Sequence, residues 1–456
     1  MFTFLRRHPR KTMLVIILLA VLLRVGVALF LGDSTPPAKD ETSYSVLAAR
    51  LANGYGYSFP RAWYPGFTPA NTATAHWSFL YTALVAAVYA LVGVHPLALR
   101  LISALLTGIL LPMMTYLLAR RAFLSPETPE PECDSRFTAI PPLAAFLAAI
   151  YAYFILFGAM VQTEGLFIVA TLWSLERGLA LSARMRAGAS LRARDGLWLG
   201  VSLGIAALLR QSILPWVVIL FLWLAWLASR ADVGQKDWVG ILMRLKSLIV
   251  AGVMMLLLIL PFTLRNYAVY GDFLLLNSNA GYAMYSSQHP MHGINFQAYD
   301  AAPLPTNLHP MPQNEAQWDR ALMKRGIQFV LDEPGRYALL SLSRVADYFE
   351  FWPKRDSSLL FNLGRLLSFT LFLPFMFYGV FISFSVSGFL SRNAILYLFI
   401  AFYALLHILT WAMPRYRLPV DAVLILFAAL AVHQLGGSLT RHLSHTKSPP
   451  VSHDST

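Results

Sequence analysis

The chain has 456 residues, 57% of them hydrophobic and 13% charged, with a mean hydropathy of +0.56. This balance excludes a soluble globular protein of this size and predicts many membrane-crossing helices. The net charge of +13 is not a nucleic-acid footprint, because the Lys and Arg residues sit in short segments between apolar runs, the pattern of inside-positive topology. A single cysteine, Cys133, excludes an intrachain disulfide and a thiolate metal cluster.

From the N-terminus, Arg6, Arg7, Arg10 and Lys11 precede an apolar stretch from Met13 to Leu31, broken only by Arg24. It has no credible cleavage site and reads as an uncleaved signal anchor with a cytoplasmic start. Further apolar runs cover 77–94, 97–119, 139–157, 165–182, 196–209, 213–228, 239–261, 359–385, 394–412 and 418–435. The cationic markers are Arg120-Arg121, then Arg184, Arg186, Arg192 and Arg194, then Arg230 with Lys236, and finally Arg441 with Lys447. All of them face one side only if 77–94 is an embedded or interfacial helix. Ten crossings then remain, in a membrane unit over 1–438 with a disordered tail over 439–456. The runs 196–209 and 213–228 are short for a bilayer core of about 30 Å and read as a broken pair around Arg210. The loop from Ser125 to Asp134 is acidic, Pro-rich and expected to be disordered. Two substantial outer pieces follow, 32–76 and 262–357. In the second, Trp318, Ala321, Leu322, Phe329 and Val330 recur at helical spacing until Pro334, which predicts an amphipathic surface helix.

This threading gathers unusual polar residues on the outer side. Asp40 and Glu41 follow the first span, Glu164 opens the fourth crossing, and Arg210 with Gln211 marks the break between short helices. Arg265 and Asn266 follow Pro261, while Arg415 and Arg417 join the last two crossings and His76 heads the embedded segment. Carboxylates at a membrane edge are costly and default to a functional reading. Arginine pairs bidentately with phosphate and stays charged. A carboxylate beside a hydroxyl can take its proton, and a phosphate leaving group needs cations placed in advance. Those are the requirements of sugar transfer from a lipid-linked phosphate. Each residue also has a plainer reading. Asp40 could cap a helix starting at Glu41, Glu164 could be an ordinary helix-start acid, and the arginines could snorkel. The outer placement of Arg415 and Arg417 runs against the positive-inside trend, which favours function. His289 and His292 have no acid at ligand spacing and read as plain loop. The tryptophans at span ends read as an interface belt.

Several segments, in order, resemble one family. Asp40-Glu41-Thr-Ser-Tyr44 with Leu51-Ala-Asn-Gly-Tyr-Gly-Tyr57 resembles the first outer loop of the GT-C superfamily. The likeness is to its protein-O-mannosyltransferase and lipid A aminoarabinose transferase-like members, glycosyltransferase family 39 and relatives. Gln162-Thr-Glu-Gly-Leu-Phe167, the block from Gly200 to Gln211, Leu260-Pro-Phe-Thr-Leu-Arg-Asn-Tyr267 and Arg415-Tyr-Arg-Leu-Pro419 resemble later blocks. His76-Trp77 and Phe262 depart from the family pattern. The resemblance implies an all-α polytopic GT-C bundle acting as an inverting membrane glycosyltransferase. Asp40 would be the general base, with Glu41 beside it in the catalytic site. Arg210, Arg265, Arg415 and Arg417 would grip the phosphate of a polyprenyl-phosphate sugar donor. Glu164 would be the candidate ligand of a divalent ion, Mg or Mn, should one be used; no other cofactor is implied. His76, Tyr282 and Tyr285 would contact substrate beneath an outer roof, and the acceptor would be a lipid, glycan or protein. The expected location is the inner membrane with the site facing the periplasm. The rival readings are a transporter or flippase of a lipid-linked glycan, and a protein like O-antigen polymerases or ligases. A transporter more often shows paired repeats and charges at mid-membrane, and the early Asp-Glu pair argues against the second.

Overall fold

The computed structural model describes residues 9–36, 39–124, 137–189, 191–230, 238–355 and 357–445. Arg6, Arg7, the acidic loop 125–134 with Cys133, Lys236 and Lys447 lie outside the described residues. Eighteen helices are named here in chain order. The first six are α1 Pro9–Leu31, α2 Asp40–Ala52, α3 Phe79–Val92, α4 Pro96–Phe123, α5 Ile140–Ile150 and α6 Ala152–Ala159. Then come α7 Glu164–Arg186, α8 Ala193–Leu209, α9 Leu214–Arg230, α10 Trp238–Tyr270, α11 Ala280–Gln288 and α12 Glu315–Asp332. The last are α13 Pro334–Tyr348, α14 Leu359–Arg365, α15 Leu371–Ser383, α16 Phe389–Arg392, α17 Ala394–Leu409 and α18 Leu418–His445. The described residues form no strand; besides short 3-10 and π turns they show isolated antiparallel bridges, Ser58 with Ala73 and Trp63 with Thr68.

Among the described residues, seven helices or helix runs are long and apolar enough to cross a membrane, and eight if the bent pair α5–α6 counts as one span. Helices α3 and α17 are apolar but shorter. At 1.5 Å per residue α3 rises about 21 Å, less than a bilayer core. Arg210 breaks the chain between α8 and the 3-10 turn Gln211–Ile213 before α9. The final helix runs to His445, past the expected boundary at 438. Nothing in Ser438-Leu-Thr-Arg-His-Leu-Ser-His445 stops a helix, and the first proline beyond is Pro449. In the outer segment α12 begins at Glu315, with the Asn314 side chain accepting from the Gln317 amide. Pro334 both ends that run and opens α13.

The expected single crossing 139–157 is instead two helices bent by 59° at Tyr151. A break inside a bundle frees backbone groups that lipid cannot satisfy. The Ala149 carbonyl accepts from Arg24 Nη1 at 3.4 Å, and the Tyr153 amide donates to Ser368 Oγ at 2.7 Å. Ser368 is itself non-helical, in the π turn Leu366–Thr370. Two irregular backbones thus meet and help satisfy each other. Neither site holds the Pro or Gly that would mark a break in sequence.

The α8–α10 pair is set by Gly196, Gly200 and Gly204, four residues apart on one face of α8. A methyl at Gly196 or Gly200 would land on the carbonyl oxygens of Ser247 and Ala251, and one at Gly204 would lie 2.7 Å from Leu258 Cδ1. Small residues at this spacing let backbones approach where lipid supplies no hydrophobic drive. Gly200→Leu should therefore cost about 1–3 kcal/mol or more, read as a lower melting temperature in detergent. Gly252→Ala, whose added methyl meets only Phe221 at 3.7 Å, should leave the melting temperature level or higher.

Candidate active site

Asp40 is the first residue of α2, and its carboxylate is not used to cap the helix: the N-cap is Lys39, with no side-chain cap bond. The acid turns to Arg415, whose Nη1 donates to Asp40 Oδ2 at 2.5 Å. Arg415 Nε lies 3.8 Å from Glu164 Oε1. The same Glu164 oxygen accepts from Arg210 Nη1 at 3.0 Å. Glu164 is the first residue of α7, Arg210 lies at the break after α8, and Arg415 is in the 3-10 turn Pro414–Arg417. Four segments distant in sequence thus meet at one end of the bundle. The ring of Tyr416 carries both cations, 5.0 Å from the Arg210 guanidinium and 5.3 Å from that of Arg415.

Access differs sharply along this network. The Asp40 and Arg415 side chains keep 30% and 20% of their surface exposed, whereas Glu164 keeps 4%. Burial works to raise the Asp40 carboxyl, but Arg415, aided by Arg210 and His76, outweighs it and holds the group below the usual carboxylate range. In this state Asp40 is an ionised but weak base. For His76 burial wins and lowers the imidazole below its ordinary range, against the opposing pull of Glu315 and Asp40. Its ring is flanked by Tyr64 at 6.1 Å and by Phe67 and Trp77, both at 5.7 Å.

The other expected site residues are engaged elsewhere. Glu41 is buried, bound by Arg100 Nη2 at 3.2 Å and by the Val161 amide at 2.7 Å. It fastens α2 to α4 and to the loop before α7. Arg417 faces away from Arg415: its Nε donates to Asp421 at 2.9 Å and its Nη1 to the Tyr348 carbonyl at 2.6 Å. Tyr151 hydroxyl completes that buried set at 2.7 Å from Asp421. Arg265 donates to the Thr74 carbonyl at 2.8 Å and lies over Tyr57. Tyr282 and Tyr285 give their hydroxyls to the carbonyls of Ala302 and Pro303. They therefore brace the roof, though Tyr282 also lies 5.5 Å from the exposed Tyr64.

The residues present do not fit a divalent ion. Asp40 and Glu164 share Arg415, and no group of three or more His, Cys, Asp or Glu able to hold a metal occurs among the described residues. Arg415 and Arg210 together already balance these two carboxylates.

Two residues escaped the sequence reading. Arg100 is a lone cation near the start of an apolar helix, with no sign of its partner. Glu315 is buried at the start of α12. It accepts from the Thr68 hydroxyl, from the Ala75 amide at 2.7 Å and from the Ser278 hydroxyl at 2.7 Å. It joins the first outer loop to the roof, and its only sequence signal is a position after the N-cap Asn314.

No protein-family model matches the chain, and no curated protein matches it in sequence. The molecule is by architecture an all-α polytopic membrane protein, and its fold is similar to that of oligosaccharyltransferases of known structure. Among solved structures it is similar to the archaeal oligosaccharyltransferase AglB from Archaeoglobus fulgidus in complex with an inhibitory peptide and a dolichol-phosphate. That match has a TM-score of 0.56 and 18% identity over 97% of this chain and 53% of that one. The apo form of the Archaeoglobus fulgidus oligosaccharyltransferase gives a TM-score of 0.56 and 16% identity, over 95% of this chain and 52% of that one. The chain thus spans about half the length of these neighbours, and the likeness is one of fold.

Removing one partner of a buried ion pair leaves the other uncompensated. Glu41→Gln should cost about 3–5 kcal/mol, while Asp40→Asn, at a partly exposed pair, should cost about 1 kcal/mol or less; melting curves in detergent read the contrast. A second expectation concerns Asp319 on α12, where burial raises the carboxyl to about 6 against the Gly281 amide that donates to it. The unfolded carboxyl titrates at 3.8. Between these values the folded chain holds a proton that the unfolded one releases, so raising pH through this window costs stability. The melting temperature of Asp319→Asn should not share that decline.

Proposed function

We propose that the chain is an integral membrane glycosyltransferase. It would move a sugar from a polyprenyl-phosphate donor to an acceptor at the outer face of the inner membrane, with inversion at the anomeric carbon. The observation that carries this reading is the Asp40–Arg415–Glu164–Arg210 network, accessible at Asp40 and Arg415 and closed behind them. The oligosaccharyltransferase with the similar fold was solved with a dolichol-phosphate and an inhibitory peptide, which supports a lipid-linked donor and an acceptor in general terms.

In the proposed reaction the acceptor oxygen attacks the anomeric carbon from the face opposite the phosphate. The carbon–oxygen bond to phosphate breaks, its electron pair leaves with the lipid phosphate, and Asp40 takes the acceptor proton. Arg415 couples these events. Its Nε is buried toward Glu164, but a fifth of the side chain is exposed, so the open edge of the guanidinium would meet a phosphate oxygen, with Arg210 behind it. As the phosphate draws on Arg415, the Asp40 carboxylate loses part of the cation that suppresses its basicity. A donor in place would thereby switch on the base. Glu41 and Arg417 would hold the frame, and Arg265 would meet the donor from the side of Thr74.

Asp40→Asn should lower sugar transfer by about a hundred- to ten-thousand-fold while the lipid phosphate still binds. Arg415→Gln should weaken donor binding and transfer together. The measurement is transfer of radiolabelled sugar from polyprenyl phosphate in proteoliposomes; undiminished transfer by Asp40→Asn removes Asp40 as base.

A further inference from the structure

The charges around Asp40 cancel. Asp40, Glu41 and Glu164 meet Arg415, Arg100 and Arg210 in ion pairs. Beyond His76, Glu315 and Arg265 grip consecutive residues, the Ala75 amide and the Thr74 carbonyl. Every carboxylate in this set has its partners. Beside these pairs lie uncharged groups with unspent hydrogen-bonding capacity. His76 Nδ1, Trp77 Nε1, the Tyr81 hydroxyl and Gln162 Oε1 are buried with no well-formed hydrogen bond, although the Ser103 hydroxyl lies beside Tyr81 and the Ser278 backbone beside the His76 ring, and His76, Tyr81 and Gln162 are more than nine-tenths buried as residues.

Tyr44 joins these groups to the acids. It lies one turn along α2 from Asp40, its ring 5.3 Å from that of Trp77 and 4.9 Å from that of Tyr81. Gln162 follows Val161, whose amide holds Glu41. The hydrogen-bonding types are mixed: an indole N–H only donates, an amide oxygen only accepts, and a phenol or neutral imidazole can do either.

We propose that Tyr44, His76, Trp77, Tyr81 and Gln162 form the subsite for the transferred sugar, and that it takes an uncharged ring while rejecting amino sugars and uronic acids. Sugar hydroxyls both donate and accept, which suits this mixed set, and the C–H faces of the ring suit the three aromatic side chains. An ammonium or carboxylate would enter without a counter-charge, because the local carboxylates and guanidiniums already satisfy one another, and a low-dielectric site penalises it. The inference rests on the lipid-phosphate reading above and narrows the donor class within it.

The test uses the full chain in detergent, with binding read by intrinsic tryptophan fluorescence. The probes are a short-chain polyprenyl phosphate, its mannosyl and glucosyl esters, and the free-amine and uronate counterparts of those esters. The neutral esters should bind about tenfold or more tighter than the bare phosphate, and the charged counterparts no tighter than the bare phosphate. The gain should shrink to within about twofold in Tyr81→Phe/Gln162→Leu; Gln162→Leu alone, expected to lose part of it, keeps the test open if the double variant folds poorly. A charged ester that binds as tightly as its neutral counterpart, or a gain untouched by both variants, overturns the proposal. Bare phosphate binding with no gain from neutral sugars refutes the subsite and leaves the lipid-phosphate reading standing. Failure of the bare phosphate and of every ester to bind removes that reading, and this inference with it.

Discussion

The Arg415 guanidinium stands between Asp40 and Glu164, and that sharing decides much else at this end of the bundle. A cation placed there must be matched, so the starts of α2 and α7 converge on it. A second cation, Arg210, shares the Glu164 oxygen and lies on the same Tyr416 ring. Two guanidiniums repel when close, and each is offset here by a carboxylate and the face of one aromatic ring. The result is a site that is electrically balanced at rest. In the proposed reaction its reactivity would come from an arriving anion that redistributes the hydrogen bonds, so that the resting weakness of Asp40 becomes part of the mechanism.

The elements that could be read from sequence were those with a local cause. Apolar runs of sufficient length gave the spans, and the break at Arg210 was visible as a charge between two short apolar runs, the second of which, extended by the turn Gln211–Ile213, is long enough to cross. Asp40, Glu164, Arg210 and Arg415 were legible as charges out of place on the outer side, and the structure brings those four together. The same signal also picked out Glu41 and Arg417, which lie within two residues of site members but point into buried pairs with Arg100 and Asp421. Which neighbour faces the site depends on helix phase and on a partner far along the chain, and spacing alone carries neither. Tyr151 was missed for a related reason. Its break has no Pro or Gly, and depends on Arg24 and Ser368 to meet freed backbone groups.

Close backbone approach and buried polar clamps do different work in this fold. Glycines let α8 lie directly on α10, giving a rigid wall that fixes the position of the Arg210 break. Outside the wall, Glu315 collects hydrogen bonds from Thr68, Ala75 and Ser278. A charged acceptor held by three donors in a buried setting is expensive to expose.

That clamp dictates a traffic pattern. Lifting the outer segment away from the first loop would strip the Glu315 anion of its donors, so these two pieces should swing together rather than part like jaws. On the proposed function, a bulky acceptor would then be kept from threading between them. Its way in would skirt the half-exposed Tyr64 and come upon Asp40 from the flank, which would make the shape of that doorway a filter on which polymers can be modified.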